Sequence, residues 1–202
     1  MKLVVVGGGG HAKVVTDSAQ AAGWNVIGFA DDRSDAKLFD LQHLGSLQNF
    51  QPPQDAQVVV AIGSNKLRQQ IVELLSGTVN WATVIHPRAM ISSFATIHAG
   101  TVVFAGAVIQ ADTVIDQHCI INTSASIDHD CRIADFCHVA PNAVLTGNVS
   151  LEMGVFVGAG SVVLPGRHIG EWATLGAGGV SVRDLDSGGT FVGIPAKSRI
   201  PS

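Results

Sequence analysis

The hydrophobic pattern changes once along the chain, and its two parts predict different folds. Residues 1–85 alternate short apolar runs with amphipathic stretches. "KLVVV" is apolar throughout, as in a strand covered on both faces. "HAKVVTDSAQAAG" has helical spacing and stops at Gly23. "NVIGFADD" and "AQVVVAIG" predict further strands, "NKLRQQIVELLSG" a second helix and "WATVI" a short fourth strand. Strand-helix alternation of this kind predicts a small parallel α/β sheet.

From Ile91 onward an aliphatic residue recurs every six positions through Ile97, Val103, Ile109 and so on to Leu175, fifteen in register. Four positions after nearly every one stands a small or short side chain, from Ala95 and Thr101 to Val155 and Ser161, with Arg167 the clear departure. A period of six fits neither a helix nor a free strand. It fits a solenoid of short strands joined by tight turns, each strand sending one aliphatic side chain inward. The expected organisation is an α/β domain over residues 1–85 and an all-β solenoid over 86–202. Cys119, Cys131 and Cys137 all occupy the small-residue position and are expected in the wall packing. Their odd number and the lack of a C-x-x-C pattern argue against a disulfide framework or a zinc site.

Composition narrows the class. Hydrophobic residues make up 47% and charged residues 14%, enough for a sizeable core. A formal charge of −4 argues against nucleic acid or an anionic membrane as the main partner. No apolar run approaches the ~18 residues of a membrane span. The N-terminal apolar run ends in glycines and is too short for a signal-peptide core, so a cytoplasmic location is expected.

Two stretches carry candidate chemistry. In "VVVGGGGHAKVV" the glycines stand between a strand and a helix, and Gly7, Gly9 and Ala12 loosely match a dinucleotide fingerprint. Glycines admit a phosphate close to the backbone, and a helix N-terminus favours negative charge. Asp31 and Asp32 end the second strand, about where a ribose-binding acid sits. A domain of this size is half of a dinucleotide fold, so one nucleotide diphosphate is the more economical ligand. His11 could donate to a phosphate or cap the helix. The second stretch is "SIDHDCRI", where His129 stands between Asp128 and Asp130. Ile127 points inward in the six-residue frame, so these three run along the outer wall and turn. A group transfer to an amine or hydroxyl needs a base to take a proton from the nucleophile, and a neutral histidine suits that role near pH 7. An adjacent carboxylate fixes the ring and favours its protonated form.

"GGGGHAKVV", "FADD", "AIGSN", "INTSASIDHDCRI", "HVAPNAVLTG" and "FVGIPAK", in that order, resemble one family across nearly the whole chain. It is the hexapeptide-repeat acetyltransferases that modify nucleotide-linked amino sugars, as in bacillosamine and perosamine synthesis, together with sialic-acid O-acetyltransferases. The resemblance implies a half-Rossmann domain followed by a left-handed parallel β-helix of triangular coils, fifteen hexads making about five coils. It implies a homotrimer that transfers acetyl from acetyl-coenzyme A to a sugar amine. Carried onto this chain, His129 is the base and Asp130 the acid that assists it. Gly9, Gly10 and His11 hold the nucleotide diphosphate, Asp31 and Asp32 contact ribose or base, and Gly63 lies on the next strand's loop. Asn122 lies near the acceptor sugar and His138 near the thioester. Gly158, Ala159, Gly176 and Ala177 offer a path for the pantetheine arm, and Lys197 is expected near the phosphates. In the family the acid after the histidine is commonly Glu in the bacillosamine enzymes, whereas this chain has Asp130.

Other readings remain open at this point. The chain could acetylate a hydroxyl, bind nucleotide sugars as a non-catalytic trimer, or use the glycine loop for an oxidoreductase. His98, His118 and His168 fall off the core positions and read as surface groups, and no metal is assigned.

Overall fold

Strands β1 (Lys2–Val6), β2 (Asn25–Ala30), β3 (Ala56–Val60) and β4 (Asn80–Trp81) form a parallel sheet in the order β2-β1-β3-β4. This is seen in a computed structural model, which describes residues 1–199, the side chain of Asn49 excepted. Leu3, Val4, Val5 and Val6 are wholly buried, because helices and loops cover both faces of β1. Helix α1 (Gly10–Ala21) follows β1 and α2 (Asn65–Leu75) follows β3. Strand order reverses between β1 and β3, so the loops after these two strands open a crevice at their carboxyl ends.

The solenoid begins at Val84–Ile85, which pairs with Val102–Val103. The run "WATVI", read above as one strand, is therefore two: β4 joins the α/β sheet and Val84–Ile85 the solenoid. Each two-residue strand pairs in parallel with the strand one coil on, as Val114 with Arg132 and Ile115 with Ile133. Three faces result. Face I contains Val84–Ile85, Ile120–Ile121 and His138–Val139. Face II contains Met90–Ile91, Ser126–Ile127 and Val144–Leu145, and face III contains Thr96–Ile97 and Arg132–Ile133. Face II has six strands, so the prism is about six coils rather than five. The extra coil escaped the six-residue count because Ser181 takes an aliphatic position, and Leu185 and Phe191 then close the core off register.

Inside the prism the aliphatic and small positions interleave: Ile115, Cys119, Ile121, Ala125, Ile127 and Cys131 are all buried in one core. Outside, from Ile97 onward, the third residue after each aliphatic turns the corner with positive φ, at Gly100, Gly106, Asp112, His118, Ser124 and Asp130 among others. A left-handed residue other than glycine costs about 1–2 kcal/mol. Each buried aliphatic contributes about 1.5–3 kcal/mol, so one per hexad outweighs the strained corner.

The α/β unit sits on face I. Val5, Ala12 and Val15 share a core with Val102, Phe104 and Ile120. From α2, Asn65 Nδ2 donates to the carbonyls of Gly154 (3.0 Å) and Val155 (3.1 Å) at the corner between faces III and I. His118 lies at that corner and is only 2% exposed, not on the surface as its position in the repeat suggests. Trp81 meets it edge-on and Phe136, one coil above, stacks on it. Face II is left uncovered. Its outward residues are Met90, Val108, Ser126, Val144, Val162 and Val180, nearly all apolar and partly or fully exposed.

Candidate active site

A cavity of about 430 Å³ opens at the carboxyl ends of β1 and β3. Gly7, Gly9, Asp31, Asp32 and Arg33 line one side, and Ile62, Leu67 and Ile71 the other. The first two glycines are required by the protein itself. Gly7 has φ +113, and a Cβ on Gly8 would crowd Ala36, Phe29 and Asp31. Gly9 and Gly10 face open space, so the protein gives no packing reason for them. Gly9 caps α1 through its backbone only. Bare N–H groups at a helix N-terminus beside a cavity make a phosphate cradle.

Asp31 ties this cradle down. Its Oδ2 accepts from Gly8 N (2.7 Å), and Arg33 binds both oxygens (2.9 and 3.1 Å). The Arg33 hydrogen bond, with help from the Gly8 and Arg33 amides, lowers the Asp31 carboxyl to about 2. Asp32 Oδ1 accepts from Leu47 N at 2.8 Å, which anchors the loop that follows β2.

Further in, where the α/β unit meets face I, four predicted residues come together. His138 Nδ1 lies 3.3 Å from Gly63 O, and its Nε2 lies 3.0 Å from Asn122 Nδ2. The ring of His11 is 6.2 Å from that of His138 and edge-on to Phe104. His11 makes no capping bond, and its buried Nε2 has no partner among the described residues. Burial, and then the charge of Arg68, lower His11 to about 4 and His138 to about 3. Both rings are neutral near pH 7.

His129 lies elsewhere, on the corner between faces II and III. Its Nδ1 is 2.7 Å from Asp130 Oδ2, and both side chains are more than half exposed. Asp128 does not hold the ring. Its Oδ1 accepts from His129 N at 2.8 Å and closes the turn. Asp130 occupies the left-handed corner position with φ 61, which Asp tolerates well. The hydrogen bond that Nδ1 donates to Asp130, then the charge of Asp128, raise His129 above its ordinary pKa.

The remaining candidates lie along the corner between faces I and II and at the C-terminal end. A Cβ on Gly158 would strike Ala177 N at 2.5 Å, and one on Gly176 would strike Val192 at 2.8 Å. Close stacking of coils thus accounts for these two glycines, with Ala159 and Ala177 beside them. Lys197 borders a 250 Å³ cavity with Val182, Arg183 and Pro195. Two residues were missed from sequence. Asn65 and Arg68 sit in a helix that was predicted without a role for either, and both are buried against the solenoid. Gly147, also missed, lies directly over the His129 ring.

The α/β unit with a six-residue solenoid, and an exposed histidine-acid pair on its wall, define a class of acyl-transferring proteins. Residues 2–75 match the family model described as PglD N-terminal domain. A UDP-N-acetylbacillosamine N-acetyltransferase from Bacillus subtilis (strain 168) is 37% identical over 110 residues, 49% of either chain, so the match spans about half of that curated relative. The acetyltransferase domain of PglB from Neisseria gonorrhoeae FA1090, solved with acetyl coenzyme A, is 38% identical with a TM-score of 0.92, covering 98% of each chain. PerB from Caulobacter crescentus, solved with CoA and GDP-perosamine, is 38% identical with a TM-score of 0.92, covering 99% of this chain and 98% of that one. The chain belongs to this PglB and PerB family of sugar N-acetyltransferases.

Proposed function

We propose that this protein transfers the acetyl group of acetyl-coenzyme A to the amine of a nucleotide-linked amino sugar. The observation that carries the reading is the exposed pair of His129 and Asp130, held at 2.7 Å through Nδ1, which leaves Nε2 toward solvent. Nε2 takes a proton from the attacking amine. The amine nitrogen bonds to the acyl carbon, the carbon-sulfur bond breaks, and the proton passes to the leaving thiolate. Asp130 holds the ring and stabilises the imidazolium. The diphosphate rests on Gly9 and Gly10, and Asp31 and Asp32 shape the nucleoside side. His11, read from sequence as a diphosphate ligand, lies instead beside His138, so the sugar runs past Gly63 and His11 toward Asn122 and His138, and His138 stands where the sugar amine meets the thioester. PerB bound to GDP-perosamine and PglB bound to acetyl coenzyme A support this choice of substrates.

Within one chain the base is on the wrong side. The α/β unit covers face I, and His129 stands on the corner opposite that face. A homotrimer removes the problem. When three copies of apolar face II turn toward a common axis, the corner between faces I and II of one protomer lies beside the His129 corner of the next. Gly158, Ala159, Gly176 and Ala177 then flank a groove for the pantetheine arm, with Lys197 toward its phosphate end. No helix among the described residues is long and apolar enough to cross a membrane. Three free cysteines and the need for acetyl-coenzyme A favour the cytoplasm.

Thiol release from acetyl-coenzyme A, measured over nucleotide 4-amino sugars and their hydroxyl analogues, tests the reading. Turnover with an amine is the expected result. Binding of the sugar without thiol release would instead make this a non-catalytic nucleotide-sugar protein, and turnover confined to the hydroxyl analogues would make it an O-acetyltransferase.

A further inference from the structure

Arg68 is 1% exposed, and no carboxylate pairs with it among the described residues. A buried cation without a counter-ion is costly unless its donors are satisfied, and an apolar side chain would fill the space more cheaply. Its donors are satisfied by a particular set of groups. Nε donates to His118 O (2.8 Å), Nη1 to Ile62 O (2.9 Å), and Nη2 to Asn65 Oδ1 (2.9 Å) and Phe136 O (2.7 Å). Ile62 immediately precedes Gly63, whose carbonyl meets His138 Nδ1. Phe136 and Cys137 immediately precede His138 itself, and Cys137 O lies 3.3 Å from Nη2. The planar guanidinium therefore grips both sides of the contact that orients the His138 ring.

We propose that Arg68 is a positioning residue of the site, clamping the loop after β3 onto the strand of His138 so that His138 and Asn122 face the acceptor sugar in one fixed geometry. The inference rests on the acetyltransferase reading above. Charge acts in the same direction. The groups facing Arg68 are His11, His118 and His138 and the thiols of Cys119 and Cys137, with no acid among them. A neutral imidazole accepts a hydrogen bond from an ammonium or hydroxyl group, whereas an imidazolium repels the ammonium. Burial is the first cause of this neutrality, and Arg68 reinforces it. Lysine would retain the charge but not the fork, since one ammonium cannot reach carbonyls on both sides of the junction.

The experiment compares wild type with Arg68→Lys and Arg68→Gln by histidine NMR titration and by steady-state kinetics with the best amino-sugar acceptor. In Arg68→Gln, the rings of His11 and His138 are expected to titrate at higher pH than in wild type. The acceptor KM should rise about tenfold or more while the KM for acetyl-coenzyme A stays within about twofold. Arg68→Lys should keep the wild-type titration yet raise the acceptor KM, which separates geometry from charge and decides the matter if Arg68→Gln does not fold. A folded Arg68→Gln with unchanged titration and unchanged acceptor KM overturns the proposal, as does an unchanged acceptor KM in Arg68→Lys. If the wild type acetylates no amino sugar, the function reading fails, and the titrations alone then decide whether Arg68 governs these rings.

Discussion

A Cβ on Gly147 would come within 2.7 Å of the imidazole of His129, one coil below it. Gly147 is not among the residues of positive φ, so its backbone does not require glycine. The His129 ring does. Gly147→Ala is expected to leave the fold intact but to push the ring off its bond to Asp130. The rate constant kcat should fall roughly 10- to 10²-fold, short of full loss of the base, with KM values little changed. A Gly147→Ala enzyme with wild-type kcat would show that the ring position does not matter.

His129→Ala should lower kcat by about 10²–10⁴-fold, the usual cost of losing a general base. The base must be neutral to act, so activity is lost as pH falls through its raised pKa. Asp130→Asn removes the first cause of that elevation and should move the acid limb of kcat/KM to lower pH, with a smaller loss of rate. Asp128→Asn keeps the turn-closing oxygen but loses the second cause, so it should leave the rate above the acid limb nearly unchanged and move that limb down by less than Asp130→Asn does. A pH-rate series on the three variants separates these roles, and an unmoved acid limb in Asp130→Asn would remove Asp130 from the mechanism.

Gly10→Val places a branched side chain in the open space before the cradle, where nothing of the protein lies within 4 Å. The variant should fold, and calorimetry should show weaker binding of the nucleotide sugar, by roughly tenfold or more, with acetyl-coenzyme A binding unchanged. Equal loss for both ligands would point to a general folding defect.

Stability should fall in mild acid. The unfolded chain protonates histidines near 6.5, whereas burial, and then Arg68, holds His11 and His118 to about 4 and His138 to about 3. Between these values the unfolded state binds more protons, so Tm is expected to drop as pH falls from about 6.5 to 4. Asp31 acts in a lower window, its contribution being lost as pH falls from about 3.8 toward about 2. His118→Asn, a residue suited to the left-handed corner, should flatten the upper slope. A Tm independent of pH over that range would mean the rings are not held neutral.

The solenoid was legible because one coil geometry repeats, and every repeat must send an aliphatic side chain such as Ile115 or Ile121 to the same axis. The turn proposed as catalytic stood out in the sequence because three titratable groups are out of place in so apolar a wall. Arg68 was not, since nothing in "NKLRQQIVELL" tells that a second domain will cover one more face of that helix. His118 failed for the same reason. The meeting of His138 with Asn122 and Gly63 needed the fold, because it joins successive coils of the prism to a loop 75 residues away in sequence.

In the proposed homotrimer, the placement of the cradle and of His129 on opposite edges of one chain would let two crippled proteins repair each other. A His129→Ala chain still offers a sound cradle, and a Gly10→Val chain still offers a sound base. In a closed ring of three, every mixed ring contains one junction where the two sound halves meet. Equal amounts of the two chains, unfolded and refolded together and assayed at limiting nucleotide sugar, would then recover about a quarter of wild-type activity, more than the roughly tenth or less expected of Gly10→Val alone and far more than His129→Ala alone.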